Sequence, residues 1–357
     1  MNTGETKNLE LSRSTLDFTL IEGAAKAGIV GTEALDGGPP SADLTYVLEG
    51  AKSAVSFAVA MDPDSISPYL MKQDRERLEK EMIRANVTAS GIALHLSNYL
   101  INKGYKSVPV AANLVYRRPE GGDAAYDPME PVYPDIAHRY LAAQSGLGFM
   151  GMSGNLITPE YGATVILAAV VTKAELVATP PLPPEENYCD DCRLCLASCT
   201  SRFMDFENKT RVNLGDAEVT YSERRSLARC DLVCSGYTGL APNGRWSTWS
   251  PGRFEIPRDD KDIPAAYEKI TEAYAKWPQA PGGRTFFYTD EKLRMTCGNC
   301  QLICAADPEE RKRRLKMLKN SGVILQNEDG GLEAVGPNEA EQRLKHMPPA
   351  RRALYED

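Results

Sequence analysis

The sequence predicts a mixed α/β protein whose first part is a helix-and-strand domain and whose second part is a cysteine-rich domain. Three observations predict this division. Apolar runs of strand length alternate with stretches of helical period over residues 15–188. Four prolines then fall within Ala178–Asn187, which is typical of a stiff extended connector. All nine cysteines follow, between Cys189 and Cys304.

Composition and charge exclude several classes of protein. The chain has 357 residues, 42% of them hydrophobic, and a formal net charge of −8. An acidic chain is a poor general binder of nucleic acids or anionic membranes. Residues Met1–Leu20 are polar and mixed in charge, unlike a secretory signal, and the longest apolar run, Ala163–Val171, is too short to cross a membrane. We expect a cytoplasmic protein that acts on small molecules and has no membrane segment.

The first domain is predicted element by element. Thr15–Val30 has apolar residues at helical spacing, and Ser53–Met61 is typical of a buried strand. Arg77–Leu100 keeps a helical period up to Gly104, a residue suited to a left-handed helix cap. Ser107–Ala112 predicts the next strand.

A helix, a glycine-rich segment and a strand end this domain. His138–Ala143 has a helical period, Gly146–Gly154 (GLGFMGMSG) follows it, and Ala163–Thr172 predicts a strand. Together with the elements before them, these segments define a first domain over residues 1–180.

The second domain is predicted over residues 181–310. Within it, residues 235–290 are rich in Gly, Pro, Trp and Tyr, and we expect a looped insertion there. Residues 311–357 are expected to form a charged helix and a polar tail. Arg311–Lys319 carries six positive charges, which we interpret as a solvated helix face rather than a docking site for an acidic electron donor or RNA.

Aromatic residues are frequent in the expected insertion. They either pack in a hydrophobic core or line an apolar substrate pocket, and the sequence favours neither role. They are Trp246, Trp249 and Trp277 with Tyr237, Phe286, Phe287 and Tyr288.

The first group of cysteines has the spacing C-x2-C-x2-C-x3-C. Its members are Cys189, Cys192, Cys195 and Cys199. In a large chain without signs of secretion, such a group indicates metal ligation rather than disulfides. The spacing is typical of a [4Fe–4S] site in which three thiolates ligate one cluster and the fourth ligates a second cluster. A second cluster is therefore expected.

Ligands for the second cluster are available further along the chain, in TCGNCQLIC and RCDLVC. By the crossed arrangement, one cluster is held by Cys189, Cys192, Cys195 and Cys304. The other is held by Cys199, Cys297, Cys300 and either Cys230 or Cys234. Since two clusters take eight thiolates, one of the nine cysteines is left over.

Structural zinc is the alternative, because zinc sites also use paired C-x2-C groups. Two separate pairs would suffice for zinc, however, and they do not account for the unbroken run. One departure concerns the residue after the last cysteine of each group, where ferredoxin-type runs usually have proline. Here Thr200 follows Cys199, and Ala305 follows Cys304.

The segment Gly146–Gly151 (GLGFMG) formally matches the dinucleotide fingerprint G-x-G-x-x-G. That fingerprint follows a strand and opens a helix, whereas this segment follows a predicted helix and precedes a predicted strand. A nicotinamide or flavin site is therefore the weaker interpretation.

The order of these motifs resembles the epoxyqueuosine reductase and reductive dehalogenase superfamily. HRYLAAQSGLGFMGMSGNLITPEYGA, a strand, a proline connector and the cysteine run follow one another as in that family, over about residues 130–305. The resemblance implies a nitroreductase-like domain that binds cobalamin, a corrinoid. It also implies a ferredoxin-like domain with two [4Fe–4S] clusters that pass electrons to the cobalt.

The resemblance further implies residues for the site. The expected corrinoid-lining positions are Arg139, Gly146, Gly148, Phe149, Met150, Gly151, Ser153, Gly154 and Leu156. A tight turn without a ligand is the alternative for this segment. Candidate proton donors are Tyr116, Tyr133 and His138, although packing on a helix face is the commoner role for a histidine such as His138.

Departures from the family bear on the substrate. Epoxyqueuosine reductases have an acidic catalytic residue where Val132 stands here, which disfavours tRNA as the substrate; Asp135 is the nearest acidic replacement. We expect a reductase that passes electrons from an external low-potential donor, such as ferredoxin or flavodoxin, to a corrinoid and on to a small substrate. The alternative is an electron-transfer activator that reduces the corrinoid of a partner protein.

Overall fold

The computed structural model describes residues 3–112, 116–118, 121–124, 127–130, 132–281, 292–293 and 296–357. The chain divides into two compact units, each assembled from stretches that are distant in sequence. Unit 1 comprises residues 1–61, 84–192 and 209–222, and unit 2 comprises residues 62–83, 193–208 and 223–357. Helices and strands occur in both, which confirms the mixed α/β class.

Unit 1 contains a four-stranded sheet with the strand order Lys26–Gly31, Ser53–Ala60, Val165–Thr172 and Ser107–Val110. All neighbouring pairs are antiparallel, so this unit has the α+β form of the predicted class. The three predicted strands are confirmed, each one or two residues shorter than expected. The two central strands are buried along almost their whole length, as their continuous apolar sequence predicts.

The helices correct one expectation and confirm two. The first helix is Thr3–Ile21, so the predicted helix over residues 15–30 is wrong beyond Ile21. The residues that follow form the strand Lys26–Gly31, because pairing with the neighbouring strand outweighs the local helical period. The helices Glu76–Asn102 and His138–Gln144 agree with the prediction. Among the described residues, no helix is long and apolar enough to cross a membrane.

Two small sheets of unit 1 carry residues expected to function. One has the strand order Asp123–Ala124, Tyr116–Arg117 and Tyr133–Pro134. The other is a tight hairpin of Phe149–Met150 and Leu156–Ile157, within the glycine segment.

A long hairpin joins Met204–Leu214 to Ala217–Arg224 and was not predicted. In unit 1, its Leu214 and Tyr221 are buried and belong to the hydrophobic core. Most side chains of its first strand are exposed and polar, so the strand lacks the apolar alternation by which strands are predicted.

Unit 2 contains short helices and one hairpin. Its helices are, in chain order, Ile66–Leu70, Leu194–Ala197, Leu227–Cys234, Ile263–Tyr274, Asn299–Leu302, Pro308–Asn320, Pro337–Lys345 and Pro349–Arg352. The hairpin pairs Val323–Gln326 with Leu332–Val335. The structure thus adds a helix to the region expected as a looped insertion, and it folds the expected polar tail into a hairpin and two helices.

The tryptophans pack inside unit 2. Trp277 lies in a core with Tyr274 and Tyr355, and its indole N–H donates to the Leu354 carbonyl at 2.7 Å. The indole N–H of Trp249 donates to a backbone carbonyl, that of Tyr69, at 3.0 Å. Buried indoles with satisfied N–H groups are core residues. The predicted aromatic positions 286–288 lie outside the described residues.

The basic helix Pro308–Asn320 is only partly solvated. Arg311 and Arg314 are buried, and Arg314 donates to the Leu302 carbonyl at 2.8 Å. Glu310 forms ion pairs with Arg313 and Arg314. Some of the basic side chains are therefore buried, and the bond from Arg314 attaches this helix to the segment that carries the last cysteines.

The close packing of the central sheet gives a test of the fold. A Cβ atom at Gly28 would lie 2.0 Å from the Ser145 carbonyl oxygen, whereas one at Gly31, in the same strand, would meet nothing within 4 Å. We expect Gly28→Ala to lower the free energy of unfolding by about 1–3 kcal/mol, because the helix end at Ser145 must move. Gly31→Ala is the matched control and should change it by less than about 0.5 kcal/mol. Urea unfolding of both variants measures the difference, and equal stabilities would contradict the described packing.

Candidate functional site

Four cysteines from three segments of unit 2 are neighbours in the structure. Cys230 and Cys234 lie one turn apart on the helix Leu227–Cys234, with their Sγ atoms 3.4 Å apart. Cys234 is also hydrogen-bonded to Cys297. Cys199 interacts electrostatically with Cys230 and with Cys297. We call these four residues the thiol ring, since each has a neighbour on both sides.

The ionisation of each thiol in the ring depends on the others. Burial raises the pKa of Cys199, and charge on Cys230 or Cys297 raises it further, while the hydrogen bond with Ser201 opposes the rise. Hydrogen bonds to Cys230 and Cys297 raise the pKa of Cys234. The bond from Cys234 lowers the pKa of Cys297, and the backbone N–H groups of Asn299 and Gly298 add to this effect. The ring therefore favours ionisation at Cys297 and opposes it at Cys199 and Cys234.

Hydrogen bonds within unit 2 join the segments that carry the ring. The Tyr69 hydroxyl donates to the Cys297 carbonyl at 2.8 Å, and burial raises the pKa of this phenol so that it stays protonated. The Thr296 hydroxyl donates to the Val233 carbonyl at 2.5 Å. The buried Asn299 amide lies 3.5 Å from the Ser198 carbonyl, at the limit of a hydrogen bond. These contacts tie Cys297 to the segments of Cys234 and Cys199.

Left-handed backbone conformations occur between the cysteines of the C-x2-C segments. Asp191 and Arg193 both have φ of 56°, and Gly298 has φ of 101°. Such conformations are uncommon for residues with a side chain. Alternation of right- and left-handed residues points successive N–H groups to one side, which is the arrangement found around phosphates and iron–sulfur clusters.

The first cysteine run, Cys189 to Cys199, lies against the glycine segment at its first member. In unit 1, the Met152 backbone N–H donates to Cys189 Sγ at 3.3 Å, so the glycine segment contacts the run. Cys195 is buried in unit 2. Within the described ranges, no group of three or more His, Cys, Asp or Glu side chains is arranged to hold a metal ion. The ligand assignment for this run remains a prediction.

The glycines of Gly146–Gly154 make close contacts with the chain itself. A Cβ atom at Gly146 would lie 2.5 Å from the Pro180 carbonyl oxygen, and one at Gly148 would lie 2.1 Å from the Ile157 carbonyl oxygen. At Gly151 it would lie 2.9 Å from a methyl group of Ile157. The absence of side chains at these three positions is therefore already required by packing of the chain against itself, against the connector at Gly146 and within the hairpin at Gly148 and Gly151.

Other predicted lining residues have defined places in the same segment. The Arg139 guanidinium donates to the Gly154 carbonyl at 2.9 Å, which attaches the end of the segment to the preceding helix. Met150, Ser153 and Leu156 are buried, and Phe149 is half-buried.

The two tyrosines predicted as proton donors lie in adjacent strands of the small sheet. Tyr116 is opposite Pro134, and Tyr133 is opposite Arg117. Residues directly opposite each other point to the same face, and successive residues point to opposite faces. Tyr116 and Tyr133 therefore extend from opposite faces, so a ligand on one face of this sheet can meet only one of them.

His138 is buried with one ring nitrogen committed to the backbone. Its Nε2 lies 3.1 Å from the Ala111 carbonyl oxygen, so this nitrogen carries the proton. Its Nδ1 is buried and has no hydrogen-bond partner among the described residues. Burial lowers the pKa of His138 to about 4. The ring is thus neutral at pH 7, and its open nitrogen accepts a hydrogen bond.

Several residues of the site could not be found from the sequence. Tyr69 lies 228 positions before its partner Cys297, and Met152 lies 37 positions before Cys189. No spacing or period marks either residue. The sequence marks Thr200 as a departure from the usual proline, but it gives no sign that Ser201 lies against the Cys199 sulfur.

Comparisons with known proteins confirm the resemblance that the motifs predicted. An epoxyqueuosine reductase from Gloeobacter violaceus is 39% identical over 64 residues, which is 18% of this chain and 19% of that protein. One from Lactococcus garvieae is 26% identical over 157 residues, which is 43% of this chain and 39% of that protein. The chain thus matches about a fifth of the length of the first of these relatives. No family model matches the chain.

Solved structures of the same two kinds of protein are also similar to this chain. An epoxyqueuosine reductase with an epoxyqueuosine-modified tRNA stem loop has a TM-score of 0.39 at 16% identity, over 66% of this chain and 59% of that chain. A catabolic reductive dehalogenase in complex with 3-bromo-4-hydroxybenzoic acid has a TM-score of 0.49 at 12% identity, over 98% of this chain and 38% of that chain. Neither likeness is close enough to carry an inference about activity.

The buried histidine predicts a specific pH dependence of stability. The pKa of His138 is about 4 in the folded protein and about 6.5 in an unfolded chain, so the unfolded state binds the proton more tightly. The contribution of neutral His138 to the free energy of unfolding is present above about pH 6.5. It is lost as the pH falls toward 4, by on the order of 3 kcal/mol. His138→Gln should therefore flatten the loss of stability between pH 7.5 and pH 4.5 in urea unfolding. His346→Gln, at an exposed histidine whose Nδ1 lies 2.7 Å from the Gln342 carbonyl oxygen, is the control and should leave the profile nearly unchanged. Identical profiles for His138→Gln and the wild type would contradict the described burial.

Proposed function

We propose that this chain is an iron–sulfur reductase, similar to the epoxyqueuosine reductases that it matches over part of their length. The observation that carries the proposal is the thiol ring, which collects Cys199, Cys230, Cys234 and Cys297 from segments that are far apart in sequence. The ring contains Cys199, Cys297 and both candidates for one further position, Cys230 and Cys234, while Cys300, the remaining predicted ligand of the second cluster, lies outside it. Because the chain matches only part of its relatives, its own activity rests on this proposal.

The chemistry of the ring suits a cluster of iron. Several thiolates close to one another repel each other, and a strongly positive centre allows all of them to ionise together. Metal binding to thiols accordingly displaces their protons. The N–H groups of Gly298 and Asn299, already directed at Cys297, are of the kind that stabilises cluster sulfur. We propose that residues of the ring, together with Cys300, would hold a [4Fe–4S] cluster; zinc is the alternative that an iron count distinguishes.

The other cluster is proposed from the cysteine spacing. Cys189, Cys192, Cys195 and Cys304 are its expected ligands in the crossed arrangement. The left-handed conformations at Asp191 and Arg193 are of the kind found in loops around iron–sulfur clusters, which supports this proposal.

Five thiols are available for the four positions of the second cluster. They are the four of the ring and Cys300, which lies on the short helix Asn299–Leu302. Cys230 and Cys234 lie on one helix face, and their neighbouring sulfurs make them alternative ligands for one position. This arrangement explains why nine cysteines serve eight positions.

When bound, [4Fe–4S] clusters carry single electrons at potentials set by their surroundings. The chain's own residues provide those surroundings. Tyr69 and Thr296 hold the cysteine segments together, and the short helix Asn299–Leu302 positions Cys300. An external low-potential donor such as ferredoxin or flavodoxin is proposed as the source of electrons.

A corrinoid in unit 1 is the second part of the proposal, and it rests on the resemblance. The structure offers one favourable observation, the buried and unpartnered Nδ1 of His138 beside the predicted lining residue Arg139. The glycines do not add support, because Gly146, Gly148 and Gly151 are in contact with the chain itself. We therefore derive no chemical step through a corrinoid. Tyr116, Tyr133 and His138 remain candidates for proton handling, with His138 as an acceptor.

The substrate is proposed to be a small molecule. Val132 stands where epoxyqueuosine reductases have an acidic residue, which disfavours a modified tRNA. Retained tRNA after purification under mild salt would reverse this choice of substrate.

Metal content tests the proposed cofactors directly. We expect the protein purified without oxygen, from cells supplied with cobalamin, to be brown and to hold about eight iron atoms and about one cobalt atom. Elemental analysis and the visible spectrum measure both. About one or two zinc atoms without iron would overturn the clusters, whereas iron without cobalt would overturn only the corrinoid.

Variants of the helix Leu227–Cys234 test the ligand assignment. Cys230→Ala and Cys234→Ala should each keep about eight iron atoms, because four thiols remain for the second cluster. The double variant should keep about four iron atoms, because only three thiols remain for the second cluster. Ser235→Ala, at the end of the same helix, is the control and should keep all the iron. Loss of about four iron atoms in either single variant would identify that cysteine as the fixed ligand and contradict the exchange.

A further inference from the structure

The turn that follows Cys199 differs from the usual sequence around an iron–sulfur ligand. Ferredoxin-type runs have proline after the last cysteine, a residue without an N–H or a hydroxyl. Here the sequence is Cys199-Thr200-Ser201, with two hydroxyls in succession. Both side chains are buried, Thr200 with 6% and Ser201 with 3% of its surface exposed.

The turn brings the Ser201 hydroxyl to the sulfur. Ser201 Oγ lies 3.2 Å from Cys199 Sγ. Arg202 adopts a left-handed conformation with φ of 53°, which reverses the chain and places the Phe203 N–H 3.3 Å from Ser201 Oγ. The left-handed residue shows that the turn is held by its surroundings, because this conformation costs roughly 1–2 kcal/mol for a residue with a side chain.

The direction of the hydrogen bond follows from the number of protons. Ser201 Oγ already accepts from the Phe203 N–H, so its own hydrogen is free to donate. A cysteine that ligates iron is a thiolate and has no hydrogen to give. The hydroxyl of Ser201 must then be the donor and the Cys199 sulfur the acceptor.

The Thr200 hydroxyl supplies a second, independent observation. Its Oγ1 is buried and has no hydrogen-bond partner in the part of the chain that the structure describes. A buried hydroxyl without a partner costs about 1–3 kcal/mol, so its presence directly after a ligating cysteine calls for an acceptor. The sulfur atoms of a cluster are acceptors of that kind.

We infer that Ser201, assisted by Thr200, donates hydrogen bonds to the sulfur of the second cluster and thereby raises the reduction potential of that cluster. The inference rests on the proposed function, since it takes Cys199 to be a ligand. The reduced cluster carries one more negative charge than the oxidised cluster, so donors at its sulfur stabilise the reduced form more. Cys304, the other ligand that ends its run, is followed by Ala305, which has no hydroxyl. This hydroxyl donor should therefore act at Cys199 of the second cluster and has no counterpart after Cys304.

Redox titration followed by electron paramagnetic resonance tests the inference. We expect Ser201→Ala to shift the midpoint of the second cluster to a more negative potential, so that several-fold less of it is reduced at a fixed potential. Ser201→Thr keeps a hydroxyl and should stay close to the wild type. Ser56→Ala removes an equally buried serine hydroxyl from the sheet of unit 1 and serves as the control. Equal midpoints for Ser201→Ala and the wild type would overturn the inference.

A vibrational measurement separates this inference from the proposed function. Exchange into deuterated water should shift the iron–sulfur stretching bands of the wild type in resonance Raman spectra, and the shift should be smaller in Ser201→Ala. If the wild type holds no iron, the proposed function fails. If it holds iron but shows the same deuterium shift as Ser201→Ala, only the inference fails. Should Ser201→Ala lose its cluster, Thr200→Val replaces it, and an unchanged midpoint and deuterium shift in that variant would count against the inference.

Discussion

The cost of ionising neighbouring thiols is the constraint on which the organisation of unit 2 depends. Four sulfurs lie together there; burial raises the pKa of Cys199, and hydrogen bonds to Cys230 and Cys297 raise the pKa of Cys234. Segments whose thiols resist joint ionisation need other contacts to hold them together. The bonds of Tyr69 and Thr296 to backbone carbonyls supply them, and the buried Arg314 attaches the following helix to the Leu302 carbonyl.

The cysteines that the structure brings together were predictable as a group, but their surroundings were not. Cysteine spacing is a local property of the chain, and it reports directly on how many thiolates can reach one cluster. The groups that position these cysteines come from elsewhere, as Tyr69 does, or act through a turn conformation, as Ser201 does. Neither kind of contact leaves a periodic signal. The choice between Cys230 and Cys234 also stayed open, because two residues four apart on a helix occupy the same face.

The fold shows a similar limit. Strands with continuous apolar sequence were predicted to within two residues, since such runs are stable only when both faces are buried. The hairpin from Met204 to Arg224 was missed because its exposed side chains carry no apolar alternation. The first helix was placed too late, because the short run ending at Val30 forms a strand only through pairing with its neighbour. Local sequence patterns thus predicted the strands that are completely buried. They failed for the strands whose formation depends on pairing with a neighbouring strand.

The hydrogen bond from the Met152 N–H to Cys189 Sγ connects the glycine segment with the first cysteine run. The strength of such a hydrogen bond depends on the negative charge on the sulfur. With the proposed cluster bound at Cys189, a molecule that displaced this peptide would alter the electron affinity of that cluster, and reduction of the cluster would change the affinity for the molecule by the same factor. Ligand binding beside the glycine segment and the oxidation state of such a cluster would then be coupled through this one amide.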